Sequence, residues 1–422
     1  MPEYWVYTWL DSHRIRTVDD LGSQLAKPGV LEDLKVNADL VIESWLASEP
    51  TARPSSLIAG AGIDLSGRLD CNATSCRRAQ VDRLFRRAWH YFETIVARDA
   101  IAEDLRLHRS CPDEEVIGRL LPQFETVLMV REYGAEPLVE FAPRNPACFE
   151  HWMQHAKEAG MEDIALREEV MVDELLSETG INLSKKKDGV QCTLDNHDFS
   201  HRQWIDLTKS EIRGKSEKSI KRAALRRVVR KFLVHLSADV NAAKKYGGAF
   251  GSSIPVFQRL LGNRGENVAK VAFEVELPVL DGISTAQLID VRLEYADSFS
   301  RFRKRIQSFL EACIRQGVRE PVEIREKMKA DLIEGELQEL KSNLSIAEES
   351  LKRKSVYALS LATLVTTIGV ATGIVTPAVA FGLAATVSAT SLSPGAARYV
   401  DDMAKLKSDD MYFLLQAEAH HH

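Results

Sequence analysis

The chain has 422 residues, 45% hydrophobic and 27% charged, with a formal net charge of −6. That length supports two or three domains with a sizeable core. So mild a charge excludes attraction to nucleic acid by the molecule as a whole. The opening Met1-Pro2-Glu3-Tyr4-Trp5 lacks a basic stretch followed by an apolar run, so the expectation is a cytoplasmic protein. Cys71, Cys76, Cys111, Cys148, Cys192 and Cys313 are sparse and read as thiols, not as a disulfide framework. His420, His421 and His422 resemble part of a purification tag.

Residues 1–60 read as irregular helices, with Leu31, Leu34, Leu40, Val41 and Trp45 at a rough helical period. Val81, Leu84, Phe85, Ala88, Trp89 and Phe92 fall on one helical face, and Thr94–Ala97 reads as a short buried strand ending at Asp99. Thr126–Val130 and Pro137–Phe141 read as two strands around a Gly134 turn, with helical pattern resuming from Cys148 to about Glu178. The expected fold class is α+β, with a mixed α/β N-terminal domain over 1–180 and a mostly helical C-terminal region.

Residues 181–295 form a second mixed region. Its start, 181–204, reads as polar and irregular, with a loop at Lys185–Gly189. An amphipathic helix spans about 216–237, and Val271–Val275 reads as a further strand. Between Lys209 and Lys231 stand ten Lys or Arg against two Glu. Lys218, Arg222, Arg226 and Arg230 share one face of that helix. A positive stripe of this kind suits nucleic-acid phosphates or an anionic membrane surface, although many such runs are simply solvated.

Phe299, Phe302, Ile306, Phe309 and Cys313 step by three and four, as do Ile333, Leu337, Leu340, Leu344, Ala347 and Leu351. Two such seams predict an antiparallel, coiled-coil-like hairpin over 296–354, or a homo-oligomer built on the same faces. Residues 355–397 then run without a charged side chain. They divide at Pro377 into two apolar helical halves, each near the length of a bilayer core. Gly369, Gly373, Pro377 and Gly382 are the positions on which packing of this pair would depend. Lys352, Arg353 and Lys354 precede it, and Arg398, Lys405 and Lys407 follow in the tail 398–422. Positive flanks favour both ends on the cytoplasmic side of a membrane. Burial in a soluble bundle or a subunit interface would shield the segment equally well.

Candidate chemistry is sparse. Cys71 and Cys76, with Cys148, His151 and His155, could supply four ligands to zinc. Asp195, His197, Asp198 and His201 lie together in a polar stretch and could serve as acid and base. No phosphate-binding, nucleophile-elbow, zincin or dinucleotide motif is present. Residues 236–260, from Leu236 through Asp239, Gly247-Gly248 and Ser253-Ile254 to Leu260, resemble the later part of a PIN-like nuclease domain. The resemblance implies magnesium or manganese held by clustered carboxylates for RNA cleavage, with Asp239 and Asp99 at two acidic positions. The next acidic position falls near Ser253-Ile254, where this chain has none. The readings taken forward are a bacterial effector or sensor with an apolar hairpin that engages the inner face of a membrane after a trigger, a divergent metal-dependent RNase, and a helical oligomeric scaffold.

Overall fold

The computed structural model describes residues 4–48, 55–60, 63, 65, 73–89, 91–144, 152–158, 160–162, 166, 168–199, 202–252, 255–257, 284–318, 320–334 and 412. The chain divides into two compact units, residues 1–274 and 275–422.

The first unit opens with helices α1 (Trp5–Ser12), α2 (Val18–Leu25) and α3 (Val30–Ala47). Thr17 starts α2 with a reciprocal cap: its hydroxyl accepts from Asp20 N, and the Asp20 carboxylate accepts from Thr17 N. Inward positions of these helices, among them Leu10, Leu21 and Leu34, and Ile15 between the first two, are fully buried. Strand β1 (Ser56–Ala59) follows, then α4 (Thr74–Ala88), β2 (Thr94–Arg98), α5 (Ala100–Leu107), α6 (Asp113–Glu132) and β3 (Val139–Ala142). Thr126–Val130, expected as a strand, belongs to α6 instead. A five-residue apolar run cannot distinguish the two forms. Here Leu120, Phe124 and Val127 carry the helical period from the preceding turns into the run and are buried.

After β3 come α7 (Trp152–Glu158), α8 (Glu168–Glu178), β4 (Gly180–Lys186), β5 (Gly189–Asp195), β6 (Gln203–Thr208), the short α9 (Lys209–Ile212), α10 (Glu217–Tyr246) and β7 (Ala249–Gly251). Four strands make a parallel sheet in the order β3-β2-β1-β7. All of β1 is buried, as suits a parallel strand covered on both faces. Because β7 pairs with β1, this sheet crosses the domain boundary expected at residue 180. Gly60 makes the pairing close. Its N–H donates to Gly251 O at 2.8 Å, and a Cβ there would lie 2.9 Å from that same carbonyl.

Strands β4, β5 and β6 form an antiparallel meander where an irregular stretch was expected. Ile181, Leu183, Val190, Cys192, Leu194, Ile205 and Leu207 alternate with polar residues and pack into one core. That period-2 alternation is itself the sequence signal of a half-buried strand, here outweighed by the polar composition of the stretch. Trp204 stands on the outward face opposite Thr193 and is 55% exposed.

Helix α10 serves both sheets. It runs for 30 residues, beyond the expected end near 237, and stops at Gly247, whose φ of 62° supplies the left-handed cap that turns the chain into β7. Leu225, Val228, Val229, Phe232, Leu233 and Leu236 pack with α8 and the meander, while Ala242 and Tyr246 pack on Ile58, Val96 and Ala142 of the parallel sheet. Asp239 therefore lies inside a continuous helix and does not open one.

In the second unit, α11 (Thr285–Glu294), α12 (Ala296–Arg315), α13 (Pro321–Lys327) and a π-helical turn (Met328–Glu334) follow one another. Phe299, Phe302, Ile306, Leu310 and Cys313 are buried along α12, and Ile333 is buried in the turn. The strand expected at 271–275, the seam from Leu337 to Leu351, the apolar pair 355–397 with Gly369, Gly373, Pro377 and Gly382, and the tail 398–411 lie outside the described residues. Among the described residues, no helix is long and apolar enough to cross a membrane.

Since α10 contributes to both cores, Leu233→Ala should cost about 2–5 kcal/mol of stability. Leu40→Ala, at a position 59% exposed, should stay within about 0.5 kcal/mol. Urea unfolding followed by tryptophan fluorescence measures both. Equal, small effects would contradict a shared core on this helix.

Candidate functional site

The carboxyl ends of β1, β2 and β3 gather the densest buried charge of the first unit's described residues. Open α/β sheets bind ligands outside this edge, at the point where the strand order reverses, here between β1 and β7. Asp99, Glu103, Arg144 and Asp239 are all buried there, with Asp104 and Gln123 beside them on α5 and α6.

Asp99 follows β2 directly. Its backbone N–H extends the sheet by donating to Ala142 O, and its side chain caps α5 by accepting from Ala102 N at 3.0 Å. The same carboxylate accepts from Tyr4 Oη at 2.8 Å and from Trp5 Nε1 at 2.7 Å. The N-terminal segment is thereby bound to the sheet edge, with Tyr4 also stacked on Phe141. All three donors to Asp99 are neutral. Burial therefore prevails over hydrogen bonding, and the carboxyl is pushed up to about 6. Burial against this acid likewise holds the Tyr4 hydroxyl well above the usual phenol range.

Arg144 lies just beyond β3. Its Nη2 donates to Val96 O at 3.2 Å and Ala59 O at 3.4 Å, so one guanidinium spans the ends of β1 and β2. Its Nε donates to Asp239 Oδ1 at 3.3 Å, and its backbone N–H donates to Glu103 Oε1 at 2.6 Å. Glu103 also pairs with Arg98. Asp104 accepts from Gln123. Opposite charge and carbonyls meet Nε and Nη2, as a buried arginine requires, while Nη1 is buried without a hydrogen-bond partner.

The structure thus brings Asp99 and Asp239, singled out separately in the sequence, to one edge of one sheet. Arg144, Glu103 and the Tyr4–Trp5 contact have no motif in the sequence. Only the recurrence of buried polar residues after β2 and β3 could have signalled them. The arrangement does not suit magnesium or manganese. Both oxygens of Asp99 accept protein hydrogen bonds, and Asp239 and Glu103 face arginines. Hard cations need several carboxylate or carbonyl oxygens turned towards them.

Among the described residues, no group of three or more His, Cys, Asp or Glu is placed to hold a metal. Of the zinc candidates, Cys76 is exposed near the start of α4. Cys71, Cys148 and His151 lie outside the described residues, as does the His155 side chain. In the polar stretch His197 Nε2 lies 3.2 Å from Asp198, Asp195 pairs with Arg202 at 2.9 Å, and His201 lies outside the described residues.

The basic stripe of α10 faces acids on its neighbour. Arg222 pairs with Asp173 and Glu169, Arg226 with Glu169, and Arg230 with Glu168, all three acids on α8. Arg227, one position away, pairs with Glu211. The two arginines hold the Glu169 carboxyl below its ordinary range. Each such partly exposed pair contributes only about 0–1 kcal/mol. Their larger effect is to answer, within the protein, the charge expected to face outward. Of the four residues, Lys218 alone is exposed, and the three arginines are half-buried.

Comparison with family models, curated proteins and solved structures finds no match for this chain.

Two measurements check this site. Because the folded carboxyl of Asp99 lies above the ordinary value near 4, its contribution to stability is greatest below pH 4 and falls as pH rises through 6. Relative to Asp99→Asn, the wild type should lose up to about 3 kcal/mol between pH 4 and pH 7.5, read by urea unfolding. A gap that stays constant or reverses would contradict the assignment. The triple variant Glu168→Gln/Glu169→Gln/Asp173→Asn should uncover the arginines and elute from heparin at higher salt than wild type. If the two coelute late, the stripe is already open.

Proposed function

We propose that the protein is an effector or sensor of the bacterial toxin or phage-defence type, whose C-terminal apolar segment engages the inner face of a membrane after a trigger. One observation carries this reading: the forty-three consecutive residues 355–397 without a charged side chain, flanked by cations on both sides. Such a run must be shielded by lipid, by the rest of the chain or by another copy. A segment of marginal hydrophobicity, rich in Ala, Ser and Thr after Pro377, suits conditional insertion better than permanent residence. Gly369 and Gly373 would let its two halves approach backbone to backbone.

The first unit supplies a candidate trigger region. At the sheet's carboxyl edge, the N-terminal segment is held by two side-chain donors to a buried acid. A ligand or proton that relieves that acid changes the hold. The alternative of a metal-dependent RNase would require Asp99 and Asp239 to give up the donors that now surround them, so the effector reading is preferred.

The test is leakage of a self-quenching dye from phosphatidylglycerol-containing vesicles, with growth of cells expressing the chain. Wild type should release dye under a triggering condition such as a pH step through 6, and Gly369→Leu should reduce release about tenfold. No release by wild type across pH 4–8, with vesicles and protein at micromolar concentration, would rule out permeabilisation by this route.

A further inference from the structure

The ten cations between Lys209 and Lys231 divide in the folded chain. From Lys221 to Arg230 each meets an acid: Lys221 pairs with Glu217, Arg227 with Glu211, and the other three arginines with α8. Lys209, Arg213 and Lys215 are exposed, and among the described residues none of them has an ion-pair partner. Backbone hydrogen bonds from Arg213 N to Lys209 O at 3.1 Å and from Lys215 N to Ile212 O at 3.0 Å keep these three in one tight corner. Lys209 N–H in turn donates to Asp188 O at 3.1 Å, which sets the corner against the β4–β5 turn. At that turn Lys185 and Lys187 are likewise exposed and without an ion-pair partner among the described residues. Open cations from two segments thus gather at one end of the meander. Of the acids there, Asp206 is taken by Lys186, and Glu211 by Arg227 and the Thr208 cap, which leaves Asp188.

The outward face of the same meander carries the second feature. Asn182, Thr193 and Trp204 stand in register across the three strands, and Ser184, Gln191 and Asp206 form the next row towards the cationic end. Leu183, Cys192, Leu194 and Ile205, which alternate with them, pack into the core, so this face turns away from it. Among the described residues, the Trp204 indole has no ring or hydrogen-bond partner, and the amides and hydroxyls of Asn182, Ser184, Gln191 and Thr193 make no hydrogen bond. We propose that this face binds single-stranded nucleic acid, with a base stacked on Trp204 and the phosphates running towards the cations at the turn. Stacking on an aromatic ring beside a positively charged track is how unpaired strands are held. The free amides and hydroxyls offer donors and acceptors to base edges and to a ribose 2′-hydroxyl. From Trp204 to Thr208, next to Lys209, is about 14 Å at 3.4 Å per residue, so the two features lie along one strand direction. A duplex fits less well, because its bases are already stacked on one another and leave none for the indole. A lipid surface also fits less well: its acyl chains offer nothing to the unused polar groups on either side of the indole.

This inference does not depend on the apolar segment, and its test leaves the membrane reading to its own experiment. Full-length protein is titrated into fluorescein-labelled oligouridine, oligothymidine and an RNA duplex of equal length, with anisotropy read at about 50 and 200 mM salt. Phosphatidylglycerol vesicles are sedimented in parallel. At least one single strand should bind about tenfold more tightly than the duplex, and the tighter of the two identifies the sugar. Trp204→Ala should weaken that binding about tenfold, whereas Trp204→Phe should stay within about threefold. Lys185→Gln/Lys187→Gln/Lys209→Gln should lower the slope of log affinity against log salt by about 2. An equal loss of charge at exposed positions elsewhere, Lys27→Gln/Arg106→Gln/Arg119→Gln, should leave the slope unchanged. Asn182→Glu/Ser184→Glu places anions at two exposed positions of the face and should reproduce the loss, even if Trp204→Ala fails to fold. No binding of either single strand by wild type, duplex binding of equal strength, or binding that survives the changes to the face overturns the proposal. Vesicle binding that alone depends on Trp204 also overturns it.

Discussion

The first unit depends on one helix having two different faces along its length. Glu217–Tyr246 extends about 45 Å at 1.5 Å per residue, long enough to serve two sheets in succession. Its first half buries Leu225, Val228, Val229, Phe232 and Leu233 against the meander and α8, and its last turns set Ala242 and Tyr246 on the parallel sheet. Tyr246 Oη accepts from Trp45 Nε1 at 3.1 Å, and Lys245 donates to Trp45 O at 2.9 Å, so the same end also holds α3. A residue near the junction, Asp239, is thereby presented to Arg144.

Much of the charge in this unit is consumed internally. The arginines of α10 meet the acids of α8, and Arg144 lies among Asp239, Glu103 and two strand-end carbonyls. This has opposite consequences at the two places. On the helix surface, pairing sets the carboxylates of α8 against the arginines of the stripe. At the sheet edge, pairing makes a buried acidic cluster tolerable, while Asp99, reached only by neutral donors, keeps an unusually high proton affinity. A group of that kind is a natural point of response, since proton uptake changes what holds Tyr4 and Trp5.

The second unit differs in character. Along α12 it buries one narrow apolar stripe, Phe299, Phe302, Ile306, Leu310 and Cys313.

Local periodicity was readable wherever one element has one apolar face. Val81 to Ala88, the strand at Thr94–Ala97, the seam of α12 and the amphipathic start of α10 are all plain in the sequence, because side-chain spacing follows directly from backbone geometry, whereas Phe92, expected on the first of these helices, lies beyond its end. So is the absence of charge over 355–397, which is a matter of composition. Tertiary structure alone decided which charges face which. That α8 would lie along Arg222, Arg226 and Arg230, that Tyr4 would reach Asp99 across 95 residues, and that Arg144 would join β1, β2 and Asp239 are contacts between segments with no local signature. The hairpin at Ile181–Leu194, by contrast, is written in its local alternation, and the helix at Thr126–Val130 in the helical spacing of Leu120, Phe124 and Val127. Spacing reports the geometry of one element; electrostatic pairing and burial depend on what that element meets.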